Sequence, residues 1–273
     1  MSGQNKKLFV LIFIFVAVLV FPVYSFAQNL PIKSSAVTIV GTGIATDSAE
    51  PPPACEEPPC EEPPPPSGDI DQALLNDFSV RLSFGGPGFC LWSSSWRDPN
   101  APGENISEDT KRKIYAAIAL PAASARFLNI IKEKTITLEF YQGEHIRGCA
   151  NGNKIQFMNF EDYVRSKGER GPGFLIVHEF GHKIGGRSNL DNLFPHDVLK
   201  RSSTDSDCYD DGFLKSYGLR RRELSPKRES FAEAIALYIY NSKKGFLPHT
   251  DIDDFRNECP ATHEWIGNNV FRD

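Results

Sequence analysis

Gly171-Pro-Gly-Phe-Leu-Ile-Val-His178-Glu179-Phe-Gly-His182-Lys-Ile-Gly185-Gly186 carries His-Glu-x-x-His inside an apolar helical pattern. Pro172 suits the start of a helix, and the Gly185-Gly186 pair suits its end. On that helix His178 and His182, four residues apart, share one face and bring two imidazoles to a single Zn²⁺. Glu179 points about 100° round the helix from His178, where it acts on water and not as a ligand. Ile176 and Phe180 fall on the opposite face, and Phe174, Val177, Gly181 and Ile184 make a second stripe. A helix apolar on most sides is a buried helix, and Gly181 lets another element come close.

Away from this helix, the chain opens with Lys6 and Lys7 and an unbroken apolar run from Leu8 to Phe21. Those 14 residues are short of the ~20 that span a bilayer. Pro22 and then Ser25-Phe26-Ala27 complete a signal-peptide pattern, with cleavage expected after Ala27. The reading is therefore export, to the medium or the cell envelope, with no stable membrane insertion after cleavage. Residues 28–68 contain Cys-Glu-Glu-Pro-Pro twice, from Cys55 and from Cys60, and end in Pro63-Pro-Pro-Pro66. So much proline favours extended polyproline II, and the segment reads as an acidic, semi-rigid stalk.

Residues 69–273 remain for one domain with a real core. The whole chain carries −5; the leader lysines and the stalk leave the folded part near −2. That is not the basic field of a nucleic-acid binder. Six cysteines in an exported chain predict disulfides, with fifteen possible pairings. The expected set is Cys55–Cys60, Cys90–Cys149 and Cys208–Cys259.

Within the domain, Ile70 to Leu82 begins as a short helix, and Phe84-Gly-Gly-Pro-Gly-Phe89 is a turn-rich loop followed by Trp92 and Trp96. Ser107-Glu-Asp-Thr opens a helix with Ile114, Tyr115 and Ile118 on one side, and Pro121 restarts a helix through Phe127, Ile130 and Ile131. Thr135–Tyr141 alternates as a strand, Asn151-Gly152 marks a turn, and Lys154–Met158 is the next strand. Asn105-Ile106-Ser107 is a glycosylation sequon.

A catalytic zinc takes three protein ligands and keeps one position open. The continuation His-x-x-Gly-x-x-His fails here, because Ser188 stands where its third histidine would be. Ser225-Pro226-Lys-Arg-Glu229-Ser-Phe-Ala-Glu233 followed by Ala-Ile-Ala-Leu-Tyr-Ile-Tyr240 is a second helix with two glutamates on one face. Glu229 as the third ligand and Glu233 as acceptor for a ligating histidine would give both carboxylates partners. Asp191 and His196 remain alternative ligands. Arg220, Arg221, Arg222, Lys227 and Arg228 read as a solvated loop, with a role in binding an acidic side chain as the alternative.

The pair His178-Glu-Phe-Gly-His182 and Glu229-Ser-Phe-Ala-Glu233-Ala234 resembles the gluzincin metallopeptidases. Within them it is most similar to the catalytic domain of anthrax lethal factor and to secreted Pro-Pro endopeptidases. The resemblance spans about 174–240. It implies an α+β zincin-like domain, with a small twisted sheet, an active-site helix and a second, glutamate-bearing helix. It also implies a zinc endopeptidase acting on a protein or peptide, with extended substrate on the edge strand. It makes His178, His182 and Glu229 the metal ligands, Glu179 the general base and Glu233 the support of a ligand. A tyrosine upstream of the glutamate stabilises the oxyanion in that family. Tyr217 stands farther from Glu229 than usual, so it is either that residue behind an insertion or a structural one. Two other readings remain: a zincin-like binding module without turnover, and a toxin-like or envelope interaction protein in which the stalk dominates.

Overall fold

Alternation along Ile136–Tyr141 (β2) buries Ile136, Leu138 and Phe140 on one face, as the pattern requires. Lys154–Met158 (β4) does the same with Ile155 and Phe157. In this computed structural model the described residues are 64, 66–85, 102–143, 147–167, 170–206, 208–209, 226–242 and 252–272. The fold is α+β, with helices around a four-stranded mixed sheet of order β1-β2-β4-β3. The outer strands are Val80–Phe84 (β1), parallel to β2, and Arg147–Asn151 (β3), antiparallel to β4. β2 and β4 run parallel. The tight turn at Asn151-Gly152, with Gly152 at φ +51°, joins β3 to β4.

The stretch Ile70 to Leu82 begins with a short helix, as expected, and β1 follows it. The helix Ile70–Phe78 (α1) is capped at its start by the Asp69 carboxylate, and stops because Ser79 adopts φ +58°. Its backbone N–H closes the last turn on Leu74 and Leu75.

Glu108–Ala122 (α2) starts at Ser107, whose hydroxyl accepts from Thr110 N–H at 3.2 Å, as its sequence predicts. Pro121 lies in the last turn of α2 and does not restart a helix. The restart belongs to Ser124, whose hydroxyl accepts from Phe127 N–H and caps Ala125–Lys132 (α3). The strap 102–107 pairs with the end of β2 through Gly103 and Tyr141, and the Glu104 carboxylate accepts from the first N–H groups of Phe160–Lys167 (α4), at 2.7 and 3.0 Å.

The decisive helix is Arg170–Ser188 (α5). It does not end at Gly185-Gly186; it runs to Ser188, and Asn189 at φ +59° supplies the left-handed stop. Gly185 is internal because Asp191 packs on it: a methyl there would come within 2.8 Å of Asp191 Cβ. Short helices Leu190–Leu193 (α6) and His196–Leu199 (α7) follow. The second long helix, Pro226–Tyr240 (α8), lies across α5. Phe255–Glu258 (α9), Pro260–Ile266 (α10) and a widened turn Gly267–Phe271 close the chain. Ile176, Val177, Phe180 and Ile184 of α5 share one core with Phe157 of the sheet and with Phe231 and Ile235 of α8.

The Cys208–Cys259 disulfide forms as expected. Cys149 is also disulfide-bonded; Cys55, Cys60 and Cys90 lie outside the described residues, as do the leader, most of the stalk, Trp92 and Trp96. Beside the disulfide, the buried Asp205 carboxylate accepts from Thr262 N–H at 2.7 Å and caps α10 from across the chain. Among the described residues no helix is long and apolar enough to cross a membrane.

Candidate metal centre

Helices α5 and α8 meet at Gly181, where a methyl would stand 2.7 Å from Ala232 Cα and 3.0 Å from Ala232 O. Only a glycine permits this approach, as the sequence anticipates. The crossing lies between His178 and His182 on one helix and between Glu229 and Glu233 on the other.

Three of them converge. His178, His182 and Glu229 each place a ligand atom within 4.8 Å of the others, and this group could hold a metal ion. Glu229 Oε2 stands 3.6 Å from His178 Nε2 and 3.5 Å from His182 Nε2. Donors held at ~2.0–2.2 Å in a tetrahedron stand roughly 3.3–3.6 Å apart, so both distances from Glu229 fit such an edge. The two imidazoles meet edge to face, with centroids 4.9 Å apart. Burial pushes the Glu229 carboxyl up, but His178 and His182 more than reverse this and hold it well below the usual carboxylate range.

Glu233 does not join the group. Its Oε2 lies 2.7 Å from His178 Nδ1. A carboxylate only accepts, so Nδ1 carries the proton and Nε2 keeps its lone pair for a metal. Glu179 is buried too, and its Oε2 has no hydrogen-bond partner among the described residues. Burial pushes its carboxyl up, against the opposing pull of His182 and His178.

Two contributors escape the motif. Gly148 of β3 faces Glu179: a methyl there would lie 2.6 Å from Glu179 Oε1 and 3.0 Å from its Cγ. Its signal in the sequence is a lone glycine inside a strand, which marks a close approach. Lys183 is buried and donates from Nζ to Gly152 O at 3.0 Å and Lys154 O at 2.5 Å. It ties α5 to the β3–β4 hairpin. Burial lowers its pKa to about 7, with Glu179 pulling the other way.

The alternative ligands stand apart. His196 Nδ1 faces Asp197 Oδ1 at 3.3 Å, and Asp191 Oδ2 pairs with Arg228 Nε at 2.9 Å. Lys227 and Arg228 lie in the first turn of α8 and not in a loop; Arg228 stays exposed, and both have partners. Tyr217, with Arg220, Arg221 and Arg222, lies outside the described residues. No family model matches the chain, and no curated protein does.

Proposed function

We propose that the chain is a secreted or envelope zinc endopeptidase of the gluzincin type, with a zincin-like domain. The observation that carries the reading is the tetrahedral spacing of Glu229 Oε2 from both histidine Nε2 atoms, beside the unpartnered carboxylate of Glu179. Two imidazoles and one carboxylate make a donor set suited to Zn²⁺ with a position left open. His178, His182 and Glu229 would hold the ion. Bound there, it supplies Lewis acidity to a carbonyl and lowers the pKa of water.

The remaining steps belong to the chain. Glu179 takes a proton from the attacking water and hands it to the leaving amine. Its raised proton affinity and its burial suit both halves of that transfer. Glu233 holds the His178 ring in one orientation and one tautomer. Strand β3 is the last strand of the sheet among the described residues, and Gly148 sets it against Glu179. A peptide added along β3 passes its scissile bond over that carboxylate. Tyr217 is the proposed oxyanion donor, a contribution worth ~3–4 kcal/mol in other enzymes. The leader pattern and the disulfides support action outside the cytoplasm.

The test is metal analysis of the purified mature chain together with cleavage of a peptide library. One Zn²⁺ per chain is expected. Hydrolysis should vanish on chelation and return on adding Zn²⁺. A chain without stoichiometric zinc, or one whose hydrolysis survives chelation, overturns the reading.

A further inference from the structure

Helix α8 begins with a feature that the helix dipole disfavours. Lys227 and Arg228 place two cations in its first turn, at the positive end of the dipole, where acidic residues belong. Tertiary partners account for both. Lys227 Nζ donates to Asn192 O at 2.5 Å, and Arg228 Nε pairs with Asp191 Oδ2 at 2.9 Å. Both partners come from α6, the short helix directly after α5.

Asp191 sits in the seam between the two ligand-bearing helices. Its Cβ is where a Gly185 methyl would go, 2.8 Å away, and Phe231 Cε1 lies 3.1 Å from the same point. Gly185 is one turn beyond His182, and Phe231 is two residues beyond Glu229. The Asp191 side chain is only 7% exposed, and its Oδ1 has no partner among the described residues. Arg228 is its one cation among the described residues, and a buried carboxylate depends on such a partner. Glu229 is in turn held in the first helical turn, where helices fray.

We propose that the Asp191–Arg228 pair positions Glu229: it fixes the start of α8 against the end of α5 and so sets the distance from Glu229 to the two histidines. The pair never touches the metal or the substrate. This inference rests on the reading of His178, His182 and Glu229 as a metal centre.

The experiment measures Zn²⁺ affinity of the full mature chain by competition with a chromophoric chelator, well below the melting temperature of the metal-free protein. It also records the visible absorption of Co²⁺ in the site, whose intensity reports coordination geometry. The variants are Arg228→Gln, Arg228→Lys, Asp191→Asn and the Asp191→Asn/Arg228→Gln pair. Each single neutralisation should weaken Zn²⁺ binding ~10–100-fold, the usual cost of losing a residue that orients a ligand. The double variant should be no worse than the weaker single, because both remove one interaction. Arg228→Lys should restore part of the affinity, and Co²⁺ absorption should change in the neutralised variants.

A purely structural pair would lower the melting temperature while leaving Zn²⁺ affinity and the Co²⁺ spectrum at parent values; that result overturns the inference, as does additivity of the two singles. If Asp191→Asn does not fold, Arg228→Gln decides alone, since its side chain is 59% exposed. A parent chain that binds no Zn²⁺ overturns the metal centre itself, which separates that failure from this one.

Discussion

Glu179 and Glu229 are both carboxylates of the site, yet their surroundings shift them in opposite directions. Histidine contacts outweigh burial and hold Glu229 below the usual carboxylate range, while burial raises the proton affinity of Glu179. Glu179→Gln should therefore leave bound zinc stoichiometric while peptide hydrolysis falls ~10²–10⁴-fold, the usual contribution of a general base. Zinc content and kcat measured on the same sample check this, and parent-like hydrolysis in the variant excludes the mechanism. Gly148→Ala tests the same carboxylate from the strand side. The three atoms nearest the added methyl all belong to Glu179. Zinc should stay bound while kcat drops ~100-fold, the scale of an ångström of misplacement. The approach of His178 to His182 was legible because helical spacing alone puts them on one face. Glu233 was legible because seven apolar residues follow it. Gly148 and Asp191 were not, since their meaning depends on which element lands on them.

At the scale of elements, the crossing of α5 and α8 is the structural event that makes the site. A methyl at Gly181 would meet the backbone of Ala232, and backbone cannot rotate aside. Gly181→Ala should push the helices apart, costing about 1–3 kcal/mol of stability as overpacking does. It should weaken zinc binding as well, because the Glu229–His distances lie across that crossing. Urea midpoints and zinc titration of the variant measure both; an unchanged zinc affinity would mean the crossing does not set the ligand spacing. The long helices were readable from their periodicity and caps, as Ser107 shows. Their ends were less so. Ser79 stops α1 and Asn189 stops α5, both in the left-handed conformation, whereas the glycines that mimic a stop at 185–186 serve packing and helix interior. Serine in that conformation gives no sequence signal, so the point where α1 gives way to β1 was not legible. Pro121 misled for a related reason: it fits the last turn of α2, and the next helix needs the hydroxyl of Ser124.

Across the whole molecule, the sheet carries its polar cost on the face turned away from α5. Glu139 of β2 pairs in register with Gln156 of β4 and is buried. It accepts from Tyr141 OH at 2.8 Å, Gln156 Nε2 at 2.7 Å and Lys154 Nζ at 2.5 Å. Gln156 Nε2 also donates to Tyr141 OH at 2.7 Å, which closes the cluster across two strands. Burial alone would raise the Glu139 carboxyl, but Lys154, Gln156 and Tyr141 outweigh it and hold it below its ordinary value of 4.5. The sign of the linkage follows. With the folded pKa depressed, the unfolded chain binds the proton first, so this stabilisation is complete above the unfolded carboxyl pKa. It fades as pH falls below 4.5 toward the folded value. Hydrogen bonds to a charged group are worth about 1.5–3 kcal/mol each, so Glu139→Gln should lose at least that much near neutrality. Urea unfolding of parent and variant from pH 7 to pH 3 gives the difference curve. It should be flat above pH ~5 and shrink below pH ~4, because only the parent has a carboxylate there to protonate. Glu161 is also depressed and titrates in the same range, but it is common to both chains and cancels. A difference that is constant down to pH 3 would mean that the Glu139 carboxyl has the same pKa folded and unfolded. The three donors would then favour the carboxylate no more than water does, and the cluster would contribute packing alone.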